Sequence, residues 1–188
     1  MVAGAPSMKG SSLGTHRLVA HPDFPPRSVR GLEVQWVETG TALRLRYRVD
    51  GHDELVIPPF AGRGRADELW RTTCFELYLQ APGEPGYAEF NFSPSQRWAA
   101  YDFEDYRAGM RARPLSAEPV GEATAGERLL VQDVLLDTAA LPPKPWSIGV
   151  SAIIEEEDGT VSYWALAHPA GRPDFHHPDC FAMTDETA

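Results

Sequence analysis

Short segments in which apolar and polar residues alternate run through this chain and constrain its fold more than any other feature. Residues 43–49 read Leu-Arg-Leu-Arg-Tyr-Arg-Val, and residues 74–80 and 87–92 alternate in the same way. Glycine or proline turns such as Thr39-Gly40 separate these segments. Because the side chains of a β-strand point to opposite faces in turn, the pattern predicts half-buried strands.

The predicted strands favour an all-β protein. No helical period persists for more than about two turns, whereas about eight to ten short strands with hairpin turns are typical of a two-sheet antiparallel β-sandwich of jelly-roll type. With 188 residues, the chain has the length of one domain. We therefore expect a disordered leader over residues 1–15 and one domain over residues 16–188. Within it, the polar residues 118–128 predict a loop.

Charge and composition exclude several classes of function. The formal net charge of -10 repels phosphate backbones, so we expect no nucleic-acid partner. No apolar run is long enough to span a bilayer and no start has the form of a signal peptide, so we expect no membrane partner and a cytoplasmic location with both thiols reduced. The sequence leaves open the oligomeric state and whether Cys74 and Cys180 are neighbours.

The middle hairpin carries the polar residues that a ligand site would use. Phe75, Leu77 and Leu79, and likewise Phe90 and Phe92, predict a core-facing side for the two strands. Their other side offers an unusual set of polar groups, with an arginine and two tryptophans nearby: Glu76, Tyr78, Glu89, Asn91, Arg97, Trp98 and Trp70. Carboxylates and amides are costly to bury without partners, so this side is either solvated or a polar site.

Aromatic rings beside carboxyl and amide groups are typical of sugar recognition. The apolar faces of a pyranose stack on rings, and its hydroxyls need hydrogen-bond partners in fixed positions. The sequence therefore predicts a non-catalytic binding protein for a carbohydrate or a related polar small molecule. Two alternatives remain. The tryptophans could belong to the core with the acids solvated, or the paired Glu76 and Glu89 could hydrolyse a glycosidic bond.

The C-terminal segment contains three histidines that could bind a metal ion. His168, His176 and His177 lie among prolines and acids, and imidazole is a common ligand of zinc and of haem iron. Their spacing matches no closed zinc site, and haem is the less favoured cofactor. The alternative is a capping loop whose histidines form hydrogen bonds with the backbone.

Several segments together resemble a known group of proteins. They are LWRTTCFELYL at 69–79, YAEFNFSP at 87–94, WAAY at 98–101, YWAL at 163–166 and PDFHH at 173–177. In these segments the chain resembles the bacterial DOMON-like proteins and, more distantly, family 9 carbohydrate-binding modules. The resemblance extends from about His16 onward.

The resemblance implies a jelly-roll β-sandwich whose ligand is a sugar or haem. In the sugar-binding modules a tryptophan before a strand and an acid within it contact the sugar, and Trp70 and Glu76 match these positions. A second ring comes from the C-terminal segment of those modules, where Phe175 or His176 is the candidate here. Haem-binding relatives use methionine and histidine as axial ligands. No methionine of this chain matches convincingly.

Overall fold

The computed structural model describes residues 11–51 and 53–185 and contains thirteen β-strands and three short 3₁₀ helices within them. The 3₁₀ helices span Leu69–Arg71, Thr138–Ala140 and Pro178–Cys180. The strands are β1 (Ser11–Ala20), β2 (Gly31–Thr39), β3 (Ala42–Asp50), β4 (Gly64–Arg65), β5 (Cys74–Gln80), β6 (Tyr87–Phe92), β7 (Arg97–Phe103), β8 (Arg111–Ala112), β9 (Val120–Ala125), β10 (Leu129–Asp137), β11 (Trp146–Glu155), β12 (Val161–Ala165) and β13 (Met183–Asp185).

The strands form one continuous hydrogen-bonded sheet. Their order is β4-β7-β6-β5-β11-β12-β1-β2-β3-β10-β9, with β13 added to β11 and β8 added to β7. Neighbours run antiparallel except β4 and β7, which pair in parallel. The all-β prediction is confirmed, and none of the described helices is long and apolar enough to cross a membrane.

The sheet curls back on itself because β1 pairs with two different strands. Its residues up to Leu18 pair with β2, whereas Val19 and Ala20 pair with β12. The strands on either side of β1 therefore face each other across one core, where the ring of Tyr47 lies 4.9 Å from that of Phe75. The two separate antiparallel sheets of a jelly roll are not confirmed: β1 joins the halves into one strongly curled mixed sheet.

Two segments differ from their predicted structure. Residues 1–10 of the predicted leader lie outside the described residues, and residues 11–15 are the first residues of β1. The loop predicted over residues 118–128 contains β9, which pairs with β10 at the edge of the sheet. β9 forms a hairpin with the next strand, and β1 pairs with the next strand and with the distant β12; the composition of these two segments does not indicate this pairing.

The alternation of β5 and β6 divides their side chains as predicted. Phe75, Leu77 and Leu79 of β5 belong to the core, as do Phe90 and Phe92 of β6. The other side of these strands carries a second cluster of buried rings. The loop between β7 and β8 and the C-terminal segment cover this cluster. The polar side of the hairpin is therefore the floor of a covered site.

Candidate functional site

A cleft of about 1360 Å³ lies on the side of β5, β6 and β7 that faces away from the core. Its floor is formed by alternate residues of neighbouring strands: Glu76, Tyr78, Glu89, Tyr101, Phe103, Ile153 and Tyr163. Its rim and roof come from the 3₁₀ helix at 69–71, the segment between β7 and β8 and the C-terminal segment: Trp70, Arg107, Met110, Phe175 and His176. The strand register brings the floor residues together, and the loops enclose them.

Glu76 is buried in the floor with two hydroxyl donors. The hydroxyls of Tyr78 and Ser151 each donate to its Oε2 at 2.9 Å, and the side chain is 2% exposed. Burial raises the pKa of Glu76 to about 7, although the two donors act in the opposite direction. Near neutral pH this carboxyl therefore exchanges between its protonated and ionised forms.

Glu89 lies on the neighbouring strand, diagonal to Glu76. In the pairing of β5 with β6, Tyr78 stands opposite Glu89 and Glu76 stands opposite Asn91. Asn91 donates from Nδ2 to Glu89 Oε1 at 2.8 Å. Burial, and then the nearby Glu76, raise the pKa of Glu89 to about 8. Two carboxyl groups thus share a buried floor, and each disfavours ionisation of the other.

His176 reaches the floor from the C-terminal segment as a neutral imidazole. The Arg107 amide donates to the Tyr87 oxygen at 3.2 Å, and the Tyr87 hydroxyl is hydrogen-bonded to His176 Nδ1, 2.7 Å away. The other ring nitrogen, Nε2, lies 3.9 Å from Glu89 Oε2. Burial and then Arg107 lower the pKa of His176 to about 4. The contact with Glu89 is therefore not an ion pair at neutral pH.

Asp174 holds the C-terminal segment over the cleft. Its carboxylate accepts from Arg107 Nη2 at 2.6 Å, from the Tyr106 hydroxyl and from the His176 amide. The guanidinium of Arg107 and the Tyr106 hydroxyl keep the pKa of Asp174 below its ordinary value, despite partial burial. This ion pair holds the loop between β7 and β8 against the C-terminal segment, and it gives the Arg107 guanidinium a carboxylate partner.

Six of the residues predicted for the ligand site line this cleft together: Trp70, Glu76, Tyr78, Glu89, Phe175 and His176. Trp70 is half exposed at the rim, where it is accessible to a ligand. Phe175 is buried beside Tyr163, with ring centroids 6.1 Å apart. Residues separated by about a hundred positions in sequence are thus brought to one enclosed space.

Three predicted residues do not line the cleft. Trp98 occupies a position of β7 that faces the core, where the Arg65 guanidinium lies 4.6 Å from its ring centroid. Arg97 lies at the start of β7 and donates to the Ala61 carbonyl. Asn91 is on the cleft side of β6 but is buried beside Glu89. For Trp98 the reason is strand alternation, since its neighbours Ala99 and Tyr101 face the other way.

The cleft also contains residues that the sequence did not single out. Tyr101 stands opposite Glu89 in the pairing of β6 with β7, and its hydroxyl donates to Asp67 at 2.6 Å. Correct alternation of β7 would have placed it on the floor. Arg107 lies in a loop with positive φ and has no pattern that would identify it. Its role depends on Asp174, which is distant in sequence.

The three C-terminal histidines do not converge on one point. Two of them each have one ring nitrogen hydrogen-bonded outside the cleft: His168 Nε2 to the Val19 carbonyl, and His177 Nδ1 to the Asp179 amide. Only His176 lines the cleft. Across residues 11–51 and 53–185, no three side chains of histidine, cysteine, aspartate or glutamate are grouped to hold a metal ion. Within this part of the chain, the three histidines therefore do not share a metal site.

Comparison with known proteins defines the fold and leaves the family open. No protein-family model and no curated protein matches the chain. A solved structure from Bacteroides uniformis, described as a "putative carbohydrate-binding protein", is similar with a TM-score of 0.59 and 14% sequence identity. The similarity covers 88% of this chain and 83% of that one. At this identity the likeness establishes a shared β-rich fold.

Proposed function

We propose that this protein is a non-catalytic binding protein whose cleft holds a carbohydrate or a related polar small molecule. One observation carries the proposal: two buried carboxyl groups lie side by side on a floor whose surroundings are aromatic rings. A carboxyl group that is protonated part of the time both donates and accepts, which suits the hydroxyls of a sugar. The fold shared with the Bacteroides uniformis protein, itself described as carbohydrate-binding, gives modest support.

The contact residues of this proposal divide into two kinds. Glu76, Tyr78 and Glu89 are the polar contacts on the floor, and Trp70, Phe175 and His176 supply rings at the rim and roof. Trp70 is the ring with most free surface, so stacking of a pyranose on its face is the natural first contact. A ligand bound in this way lies between the exposed rim and the buried carboxyl groups.

Calorimetric titration with a panel of neutral, acidic and basic monosaccharides and disaccharides tests this proposal. Trp70→Ala should weaken binding about 3- to 10-fold through lost stacking, and Glu76→Gln should weaken it about 10-fold. Phe60→Ala is the matched control, because Phe60 is a well-exposed ring that does not line the cleft. If Phe60→Ala weakened binding and Trp70→Ala did not, the ligand would bind outside this cleft.

The same carboxyl pair supports hydrolysis of a glycosidic bond as a second candidate function. Glu76 and Glu89 occupy diagonal positions on adjacent strands, for which Cβ atoms lie about 7 Å apart. Glycosidases place their two carboxyl groups about 5–9.5 Å apart, and side chains at diagonal positions of neighbouring strands are separated on this scale. Burial raises the pKa values of both carboxyl groups toward neutral pH, so the pair can hold one proton there.

An assay of product release from aryl glycosides and oligosaccharides distinguishes the two functions. Turnover near neutral pH, lost in both Glu76→Gln and Glu89→Gln, would establish the hydrolase. Binding of a sugar that is recovered unchanged after long incubation would establish the binding protein. Both measurements use the same purified chain.

A further inference from the structure

The two floor carboxyl groups lack the cation that three other wholly or partly buried acids of this chain have. Asp185, which is buried, and Asp102 and Asp174, which are partly buried, are paired with Lys144, Arg113 and Arg107 at 2.6 to 2.7 Å. Glu156 is also buried without an ion pair among the described residues, but two backbone amides and the Ser28 hydroxyl donate to its carboxylate. Glu76 and Glu89 have hydroxyl and amide donors, and no lysine or arginine within ion-pair distance among the described residues. The cleft therefore contains two buried acids without a cation.

The cations that line the cleft are already paired with other carboxylates. Arg107 is held by Asp174, Arg71 by Glu68 at 2.6 Å, and Arg111 by Glu104 at 3.0 Å. His176, the nearest basic group to Glu89, is a neutral imidazole at neutral pH. Among the described residues, none of these cations forms an ion pair with a floor carboxyl group.

A buried acceptor without a partner lies in the same row. Asn91 stands opposite Glu76 in the strand register, and it is 1% exposed. Its Nδ2 is used by Glu89, and its Oδ1 has no hydrogen-bond partner among the described residues. Beside the two carboxyl groups, Asn91 thus adds a buried acceptor without a donor.

Aromatic rings surround these acceptors. Tyr78 and Tyr101 flank the carboxyl groups on the floor, and Trp70 lies at the rim. Ring faces attract cations through their negative quadrupole, and cages of rings beside acids recognise ammonium groups. A protonated amine has three donors and one positive charge, so it would supply both the donors and the charge that this floor lacks.

From this geometry, and resting on the proposed function, we infer that the ligand carries a protonated amine and that amino sugars are its carbohydrate class. The ammonium lies between Glu76 and Glu89 and draws both into the ionised form. The sugar ring extends toward Trp70. Binding then releases protons from the floor carboxyl groups to solvent, which a neutral sugar does not cause.

Other groups facing the floor do not account for such proton release between about pH 5 and about pH 7. Burial raises the pKa values of Cys74 and Tyr78 well above their ordinary values and that of Tyr87 to about 12. The pKa of Tyr101 is also raised by burial, and β11 contributes Ser151, which does not titrate. Arg107 stays charged, and the pKa of His176 is lowered to about 4.

The test is calorimetry at about pH 6.5 with matched sugars: glucosamine, N-acetylglucosamine and glucose, and the corresponding galactose and mannose series. An amino sugar should bind about 10- to 100-fold more tightly than its neutral counterparts, as expected for hydrogen bonds to a charged group. Titration in two buffers of different ionisation enthalpy should show proton release for the amino sugar alone. Both effects should fall in Glu76→Gln and Glu89→Gln and persist in Glu84→Gln, an exposed residue of the turn between β5 and β6 that does not line the cleft.

The outcomes separate this inference from the proposal on which it rests. Equal or tighter binding of glucose or N-acetylglucosamine overturns the amine preference and leaves a carbohydrate-binding protein. Equal binding of cyclohexylamine, a ring amine without hydroxyls, with no binding of any neutral sugar, keeps the amine site and overturns the carbohydrate. Binding of no probe to the wild-type chain overturns both. The buffer measurement on the wild-type chain holds even where a variant folds poorly.

Discussion

The cleft side of β5 and β6 and the outer side of β3 and β10 arise from the same kind of alternating sequence, yet they have opposite electrostatics. On β3, Arg46 pairs with Asp133 across the sheet at 2.8 Å, and both side chains keep about a third of their surface exposed. On β5 and β6, Glu76 and Glu89 are buried and lack cations. Alternation determines which residues share a face, and the covering loops determine whether that face is wet.

The difference between the two faces is clearest in the pKa values of their carboxyl groups. Hydrogen bonds from Arg46 lower the pKa of Asp133 on the exposed face. Burial raises the pKa values of Glu76 and Glu89 on the covered face. The two faces therefore contribute to stability with opposite dependence on pH. An exposed ion pair stabilises modestly, whereas a buried unpaired acid lowers stability when it ionises.

The largest expected effect is on the pH dependence of unfolding. Glu76 and Glu89 bind more protons in the folded state than in the unfolded state, so their contribution to stability is lost as pH rises through about 7 and 8. The free energy of unfolding of the double variant Glu76→Gln/Glu89→Gln, relative to that of the wild-type chain, should therefore rise by about 2 kcal/mol between about pH 6.5 and about pH 8. Urea unfolding across this range measures the gain.

Comparing the two chains cancels the titration of all other groups, including His176. A single exposed substitution, Glu84→Gln, serves as the control and should follow the wild-type curve. A constant difference between the double variant and the wild-type chain from pH 6.5 to pH 8 would contradict burial of ionisable acids on this face.

A smaller effect is expected from one hydroxyl donor on the floor. Ser151→Ala removes one of the two hydroxyls that donate to Glu76 Oε2, and should cost about 1 kcal/mol in the free energy of unfolding. Because this donor opposes the rise of the Glu76 pKa, the variant should raise that pKa further. Unfolding in urea and titration of the carboxyl by carbon NMR measure the two effects. An unchanged Glu76 pKa would show that Ser151 does not donate to Glu76. The control is Ser116→Ala at an exposed serine, which should change neither the free energy of unfolding nor the Glu76 pKa.

Much of the fold follows from local sequence. The division of the β5 and β6 side chains into a core-facing and an outer set is confirmed. The turn at Gly40 is also confirmed, and its positive φ of 53° favours glycine. The curl of the sheet does not follow, because it depends on β1 leaving the next strand, β2, for the distant strand β12. The strand β9 was also missed, because half-exposed edge residues carry no apolar period.

The candidate site was predicted less completely than the fold. Glu76 and Glu89 stood out because carboxyl groups interrupt strands whose other side is apolar. That these two are buried depends on Asp174 and Arg107, which dock the tail on a loop between distant segments. Sequence patterns report the neighbours of a residue within its own strand. Sequence patterns do not show which loop covers a strand residue. An alternating pattern therefore does not distinguish a solvated carboxyl group from a buried one.

The smallest effect is expected on the exposed face, where the comparison is sharpest. Arg46→Met removes the main partner of Asp133, and Arg44 remains within 3.1 Å. Because the ion pair is partly solvated, the loss of stability should stay below about 1 kcal/mol and should shrink further in about 1 M salt. The contribution of Asp133 should disappear as pH falls below its ordinary range, opposite in direction to the floor acids. Urea unfolding at low and high salt measures this loss. A salt-independent loss of several kcal/mol would mean that this face is as enclosed as the cleft, and the contrast between the two faces would fail.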